Sequence, residues 1–248
     1  MEVGVKMNKK KIVLYILIII LVIGILVGFI YTNKKDDKTK ENKVTDAIKI
    51  EEESESLNDK QASNGNIYPK VTLKENNTFR YASAKKVLET LKSGTGLIYL
   101  GFKECPWCRN AINVLQYVNA NEILYLDMTD QRDKYEVKDG KAVKTEEGTE
   151  EYKKMLTILD SILDNYEIED ESGNTINTGE KRIYVPLVVG VKDGEIVGYH
   201  ADTVKLDDNQ SPYDLLTNKQ QNDLKLIYDE INAKVSGDSC DLDVDHGC

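Results

Sequence analysis

The apolar and polar positions divide the chain into an apolar N-terminal segment, a polar stretch and a longer region with strand and helix periodicities. Residues 12–31 contain no charged side chain. Twenty residues of helix rise about 30 Å, the hydrocarbon thickness of a bilayer. The pattern therefore predicts a transmembrane helix at 12–31, with residues 1–11 in the cytoplasm and the long hydrophilic remainder outside it. The alternative is a cleaved signal peptide, whose apolar region is usually shorter and ends before small residues.

The next segment, residues 32–66, is predicted to be a flexible linker. Charged residues are dense at 34–43 and again at 51–56, and no aromatic residue lies between Asn33 and Ile67. Such a stretch buries too little apolar surface to offset its ordering entropy. We expect it to hold a folded domain away from the membrane.

Residues 67–235 show the pattern of one α/β domain. The apolar run at 96–102 predicts a strand covered on both faces, and the segment 122–127 predicts a second strand. An amphipathic helical pattern lies between them, so the two strands should be parallel.

The C-terminal part of this domain predicts a hairpin followed by a helix. Strands are expected at 184–191 and 195–200, joined by a tight turn at 192–194. The helix at 217–235 begins with the spacing of a capping box. A shorter helix is expected after Ser83, which suits the N-cap position.

Residues 128–182 are less regular than the rest of the domain. The sequence Lys138-Asp-Gly-Lys141 predicts a hairpin. A helix is expected at 149–166, where apolar residues recur at helical spacing. Residues 170–180 are polar and rich in turn formers, so we expect a loop there.

The charge of the chain restricts the class of partner. The formal charge is −10, from 33 basic and 43 acidic residues. Nine lysines lie within the first 45 residues, around the apolar segment, so the remainder is strongly acidic. An acidic surface repels the phosphates of nucleic acid, and we therefore expect no nucleic-acid partner.

A cysteine pair lies between the first strand and its helix, in the motif Cys105-Pro106-Trp107-Cys108. Pro106 suits the first helical position, where a missing N–H costs nothing. Unpaired N–H groups at a helix N-terminus favour a thiolate, so Cys105 is expected to be the exposed, attacking sulfur. Cys108 would face inward and resolve a mixed disulfide, and Trp107 would form a flat apolar contact surface.

Two other roles for this cysteine pair are weaker. A zinc site needs two more ligands, and the remaining candidates, Cys240, His246 and Cys248, lie more than 130 residues away. An inert disulfide within so short a loop is strained. Redox chemistry is therefore the favoured interpretation.

The strand, the KECPWC motif and the following helix resemble the thioredoxin superfamily. Residues 183–198 are similar to that family's second signature, in which a cis-proline opens a strand and a hairpin follows. Pro186 matches the cis-proline, with Val185 before it. The resemblance implies a thioredoxin-like fold, a mixed central sheet flanked by helices, in which Val185 and Pro186 present backbone to the substrate. The layout looks most like the bacteriocin transport accessory proteins of Gram-positive bacteria.

Two features depart from that family's pattern. The family's buried acid aligns with Tyr99, which cannot accept a proton near neutral pH. A solvated carboxylate is the favoured interpretation of Glu104, and a substitute for the missing acid is the alternative. The 78 positions from Cys108 to Pro186 imply an insertion at 128–182, between the active-site helix and the cis-proline strand.

The acidic tail at 236–248 contains a second cysteine pair, Cys240 and Cys248. A local disulfide is the favoured interpretation outside the cytoplasm. A metal site with His246 and a nearby aspartate, or exchange with the first cysteine pair, are the alternatives. His200, at the end of a predicted strand, is expected to be structural or exposed.

These features predict a membrane-anchored thiol–disulfide oxidoreductase whose catalytic domain lies outside the cytoplasm. Cys105 and Cys108 are the catalytic residues, protein or peptide thiols and disulfides are the partners, and no cofactor or metal is expected. Val185 resembles DsbA-type oxidases, whereas the hairpin after it resembles reducing thioredoxins, which would need a membrane redox partner. The alternative is an accessory or chaperone-like protein that binds secreted peptides, with incidental redox activity.

Overall fold

The computed structural model of this chain describes residues 45–237. The predicted transmembrane segment at 12–31 and the tail cysteines, Cys240 and Cys248, lie outside the described residues. No helix within 45–237 combines the length and the apolar composition needed to cross a bilayer. The elements are α1 (described over 45–55), β1 (Phe79–Tyr81), α2 (Ala84–Ser93), β2 (Gly96–Gly101), α3 (Pro106–Leu115), β3 (Ile123–Asp127), β4 (Lys134–Lys138), β5 (Lys141–Glu146), α4 (Glu150–Leu159) with a 3-10 turn at Asp160–Ile162, β6 (Asp164–Glu169), β7 (Thr175–Arg182), β8 (Leu187–Lys192), β9 (Glu195–Ala201) and α5 (Asn218–Ser236).

A five-stranded mixed sheet forms the centre of the fold, in the order β1-β3-β2-β8-β9. Strands β1 and β2 run parallel to β3, whereas β8 runs antiparallel to β2 and to β9. Helices cover both faces of the sheet. The predicted α/β class with a mixed central sheet flanked by helices is therefore confirmed, as is the hairpin of β8 and β9.

Strand β2 contributes to a hydrophobic core on each face of the sheet. Leu97 and Tyr99 belong to the core that contains α3 and α5, and Ile98 and Leu100 belong to the core beneath α2 and α4. Alternate side chains of a strand point to opposite faces, so an uninterrupted apolar run fits a strand covered on both sides. The prediction of a buried central strand is confirmed.

Side-chain caps set the starts of the helices where the sequence predicted them. The Ser83 hydroxyl accepts a hydrogen bond from the Lys86 N–H at the start of α2. Thr217 and Gln220 form the predicted capping box of α5, each side chain bonding the other residue's N–H. These caps pair N–H groups that the first helical turn leaves without partners.

The middle of the domain differs from the prediction at two places. Helix α4 ends at Leu159 rather than at residue 166, and the expected loop at 170–180 contains much of β7. Strands β6 and β7 pair as an antiparallel hairpin, and β4 and β5 form the predicted one. Residues 164–182 are polar on average, so composition did not indicate these two strands, whose stability depends on cross-strand neighbours.

The predicted flexible linker at 32–66 is wrong over its second half. Residues 45–55 form α1, and Ile50 on this helix is fully buried in the core beside α3. The Asn58 side chain exchanges two hydrogen bonds with the backbone of Val71, of 2.7 and 2.8 Å. A few apolar residues at helical spacing are enough to dock a charged helix when a core is already present.

Arg109 joins this N-terminal segment to α3. Its guanidinium group is almost completely buried. It donates hydrogen bonds to the carbonyls of Ser54 and Pro69, at 2.8 and 2.7 Å, and to the Asn58 side chain. A buried charge is tolerated only when its donors are satisfied, so α1 and residues 58–69 are required partners of this arginine.

We expect Ile50→Ala to lower the free energy of unfolding by about 2–4 kcal/mol, because the substitution leaves a cavity in the core. Ile48→Ala on the same helix is the control, since Ile48 is 41% exposed and its truncation should cost less than about 0.5 kcal/mol. Urea denaturation measures both values. Equal and small losses would mean that α1 does not pack on the domain.

Candidate active site

The cysteine pair lies at the N-terminus of α3. Cys105 is the N-cap residue, with φ −82° and ψ 117°, and Pro106 is the first helical residue. The Cys108 N–H donates a hydrogen bond of 3.1 Å to Cys105 Sγ. The motif thus takes the predicted position, because a proline loses no hydrogen bond there and the sulfur accepts from a free N–H group.

The prediction that Cys105 stays exposed is wrong. Only 6% of its surface is accessible, compared with 1% for Cys108, which faces inward as predicted. The Val185 carbonyl lies 3.7 Å from Cys105 Sγ, although the two residues are 80 positions apart. Trp107 and Val185 pack against the core that contains both cysteines. A long-range contact therefore covers the sulfur that a helix terminus alone would leave open.

The Val185–Pro186 peptide bond is cis, as the resemblance to the second signature implied. The strand that follows begins at Leu187, which is paired with Leu100 near the end of β2. The Pro186 carbonyl accepts a hydrogen bond of 2.8 Å from the Asp202 N–H. Pairing of β8 with β2 therefore places this loop beside Cys105.

The two thiols have different acidities. The hydrogen bond from the Cys108 side chain lowers the pKa of Cys105 most, burial opposes it, and the Cys108 N–H and the charge of Arg132 lower it further. Burial and the hydrogen bond to Cys105 raise the pKa of Cys108 well above its ordinary value. Cys105 is therefore the sulfur that ionises first, in agreement with its predicted role as the attacking thiol.

Arg132 is a site residue that the sequence analysis did not identify. It follows β3 by five positions, and its guanidinium carbon lies 4.9 Å from the centre of the Phe102 ring. Phe102 follows β2, which is paired with β3 up to Gly101 and Asp127. Residues that follow parallel neighbouring strands meet at one edge of a sheet, and this rule was the available signal.

Tyrosines occupy the space beside the inner thiol. The Tyr99 hydroxyl donates a hydrogen bond of 3.0 Å to the Cys108 carbonyl. Burial raises the pKa of Tyr99 well above its ordinary value, so it cannot act as a base. The Tyr228 hydroxyl is completely buried and has no hydrogen-bond partner among residues 45–237. Burial, then the neighbouring Cys108 and Asp202, also raise the pKa of Tyr228.

The other candidates from the sequence do not contribute an acid or a metal ligand to the described site. Glu104 is exposed and lies 4.0 Å from the Lys103 ammonium group. His200 Nε2 hydrogen-bonds to the Thr203 carbonyl, which fits the structural role expected of it. Among the described residues, no group of three His, Cys, Asp or Glu side chains could hold a metal ion.

We expect the pH dependence of alkylation to separate the two thiols. In a Cys240→Ser/Cys248→Ser background, iodoacetamide should label Cys105 with a midpoint below the ordinary pKa of a cysteine, and Cys108 only at higher pH. Cys108→Ala should raise the Cys105 midpoint, because the hydrogen bond from the Cys108 side chain is lost. Cys108→Ser retains a donor and is the matched control. Equal midpoints in these two variants would show that the side chain at 108 does not set the acidity of Cys105.

The two buried tyrosines should respond in opposite directions to removal of their hydroxyls. Tyr228→Phe removes a buried group without a described partner, so the free energy of unfolding should rise by about 1 kcal/mol. Tyr99→Phe removes the donor to the Cys108 carbonyl and should lower it by about 1–2 kcal/mol. Urea denaturation under reducing conditions measures both. A loss of stability in Tyr228→Phe would show that its hydroxyl is bonded.

The structure thus brings the predicted residues Trp107, Val185 and Pro186 to the cysteine pair and adds Arg132 to them. Cys240 and Cys248 lie outside the described residues. Comparisons with protein-family models, with curated proteins and with solved structures find no match to this chain.

Proposed function

We propose that this chain is a thiol–disulfide oxidoreductase with a thioredoxin-like fold, in which Cys105 exchanges disulfides with protein substrates. The observation that carries the proposal is the Cys105 sulfur at the N-terminus of α3, 3.7 Å from the carbonyl that precedes a cis-proline. The sheet order β1-β3-β2-β8-β9 supports the fold. The region from β4 to β7 is then an insertion between the active-site helix and the cis-proline strand.

The exchange needs only the two sulfurs of the motif. In the reducing direction, the Cys105 thiolate attacks one sulfur of a substrate disulfide, and the other leaves as a thiolate and takes up a proton. Cys108 then loses its proton and attacks Cys105 Sγ in the mixed disulfide, which releases the second substrate thiolate. Two electrons and two protons pass to the substrate while the Cys105–Cys108 disulfide forms. The reverse sequence oxidises a substrate dithiol.

The acidity of the two thiols supports this division of roles. Cys105 is lowered in pKa by the Cys108 side chain, so it presents the thiolate. Cys108 is raised in pKa by burial, so it stays protonated until Cys105 is consumed in the mixed disulfide. A thiol that ionises only after the first step protects the substrate-free enzyme from side reactions at its inner sulfur.

The surroundings of Cys105 support substrate binding at Trp107, Val185 and Pro186. The backbone of Val185 already lies within contact of the reactive sulfur. Because Cys105 is largely buried, a substrate sulfur must displace some of the groups that cover it before it can reach the Cys105 sulfur. An extended substrate segment that bonds the loop backbone would do so without adding a new element to the sheet.

The proposed setting is the outer face of the cell membrane, where the predicted helix at 12–31 would anchor the domain. No cofactor is required for the exchange, but a redox partner must restore the starting state of the pair. The direction of the reaction follows from the reduction potential of Cys105–Cys108. A value of about −270 mV favours a reductase and one of about −120 mV favours an oxidase.

The burial of Cys105 favours one second candidate function. A sulfur with so little accessible surface is also compatible with an accessory or chaperone-like protein, which binds secreted peptides beside the cis-proline and uses redox chemistry incidentally. This candidate predicts that peptide binding survives the loss of both active-site sulfurs.

We expect Cys105→Ser to abolish insulin reduction and oxidative refolding activity, because the attacking sulfur is lost. Cys108→Ser should instead accumulate a mixed disulfide between Cys105 and substrate, detectable by mass spectrometry, because the resolving sulfur is lost. Cys240→Ser/Cys248→Ser is the control and should remain active. Full cellular function in the Cys105→Ser variant would contradict the enzyme and support the peptide-binding protein.

A further inference from the structure

Arg132 has an unusual position for a cation in so acidic a chain. Its side chain is half-buried, and its guanidinium group lies over the Phe102 ring. Within the described residues, no carboxylate lies at ion-pair distance from it and no acceptor binds its N–H groups. A chain with 43 acidic residues has many opportunities to pair an arginine, so five free donors beside a reactive sulfur indicate that another group accepts from them.

The backbone around Arg132 is fixed on both sides. The Gln131 carbonyl accepts a hydrogen bond of 2.9 Å from the Thr149 N–H, and the Asp133 carboxylate accepts one of 2.6 Å from the Gly148 N–H. A side chain at position 148 would collide with the Gln131 carbonyl, so the two segments can lie this close only because residue 148 is a glycine. The start of α4 therefore holds the loop that carries Arg132.

A second guanidinium group lies near the first. Arg182 donates a hydrogen bond of 3.2 Å to the Asp133 carbonyl and lies 3.9 Å from the centre of the Tyr166 ring. Burial lowers the pKa of Arg132 and the neighbouring Arg182 lowers it further, yet a guanidinium group of this kind stays cationic at neutral pH. Two cations in a partly buried position repel each other, and a bound anion would relieve that repulsion.

We propose that Arg132, with Arg182 behind it, binds a carboxylate of the substrate next to the cysteine that is exchanged. The substrate class is then a protein or peptide disulfide flanked by aspartate or glutamate. The inference rests on the proposed function and deepens it, because it assigns a recognition role to the region between β3 and β8. The Phe102 ring packs against the guanidinium group of Arg132. The fork of N–H groups on that guanidinium matches the geometry of a carboxylate.

The test compares two synthetic peptides that contain the same disulfide, flanked by glutamate in one and by glutamine in the other. For the full-length wild-type protein at low salt, kcat/KM should favour the glutamate peptide by about five- to tenfold, because partly buried charge-assisted pairs exceed exposed ones. The ratio should fall towards 1 in Arg132→Gln. Arg132→Lys should keep part of the preference, since it retains the charge but not the fork.

Lys92→Gln is the matched control, because it removes one positive charge from the exposed last turn of α2, just before the start of β2, whereas Cys105 follows the other end of that strand. Its peptide ratio should equal that of the wild type. High salt should lower the wild-type ratio without any substitution, so the test remains decisive if Arg132→Gln fails to fold.

Two results would overturn the inference in distinguishable ways. If Arg132→Gln slows both peptides equally and the ratio is unchanged, Arg132 acts only on the thiol, and the oxidoreductase stands without this recognition site. If the wild-type protein exchanges with neither peptide nor with insulin, the proposed function itself fails.

Discussion

Pairing of β2 on both of its edges, with β3 on one side and β8 on the other, is the constraint on which the site depends. Gly101 at the end of β2 is in register with Asp127 at the end of β3, and Leu100 is in register with Leu187 at the start of β8. The three segments that continue from these positions therefore meet at one edge of the sheet. Cys105, Arg132 and Val185 therefore lie close together, although they are far apart in the sequence.

Because this edge of the sheet is buried, a few polar and charged groups are enough to set the acidity of Cys105. Electrostatic interactions are stronger where water is largely excluded, so two N–H groups, one thiol hydrogen bond and one guanidinium group are enough to lower the pKa of Cys105. Tyr99 stands where the resemblance implied a carboxylate. A buried anion there would raise the pKa of both thiols, and its replacement by a neutral hydroxyl acts in the same direction as the cation at Arg132.

Local signals in the sequence were sufficient for the elements that define the frame of the site. The caps at Ser83 and Thr217, the turn at 192–194 and the apolar run of β2 depend on neighbouring residues, and each appears where it was predicted. Features that depend on contacts between distant segments were not visible. The burial of Cys105 is such a feature, because the Val185 carbonyl that lies against its sulfur is 80 positions away in the sequence.

The strands and the helix that were missed have separate causes. Residues 164–182 are polar on average, so the apolar signal that predicts a strand is weak there, although β6 and β7 pair as a local hairpin. Helix α1 has a charged composition typical of a linker, and its order depends on contacts with a core that begins more than twenty residues later. Arg109, which bonds the carbonyl of Ser54, also gives no local sign of its partners.

The folding of 45–66 into the domain connects the chain before β1 to the helix that carries the cysteine pair. The predicted linker ended at residue 66, whereas Ile50 on α1 is buried in the core that contains α3. Arg109 follows Cys108 directly and is bonded to the same N-terminal segment. A buried guanidinium group is destabilising when its acceptors are removed, so the order of α1 and of residues 58–69 is coupled to the position of α3 and its two cysteines.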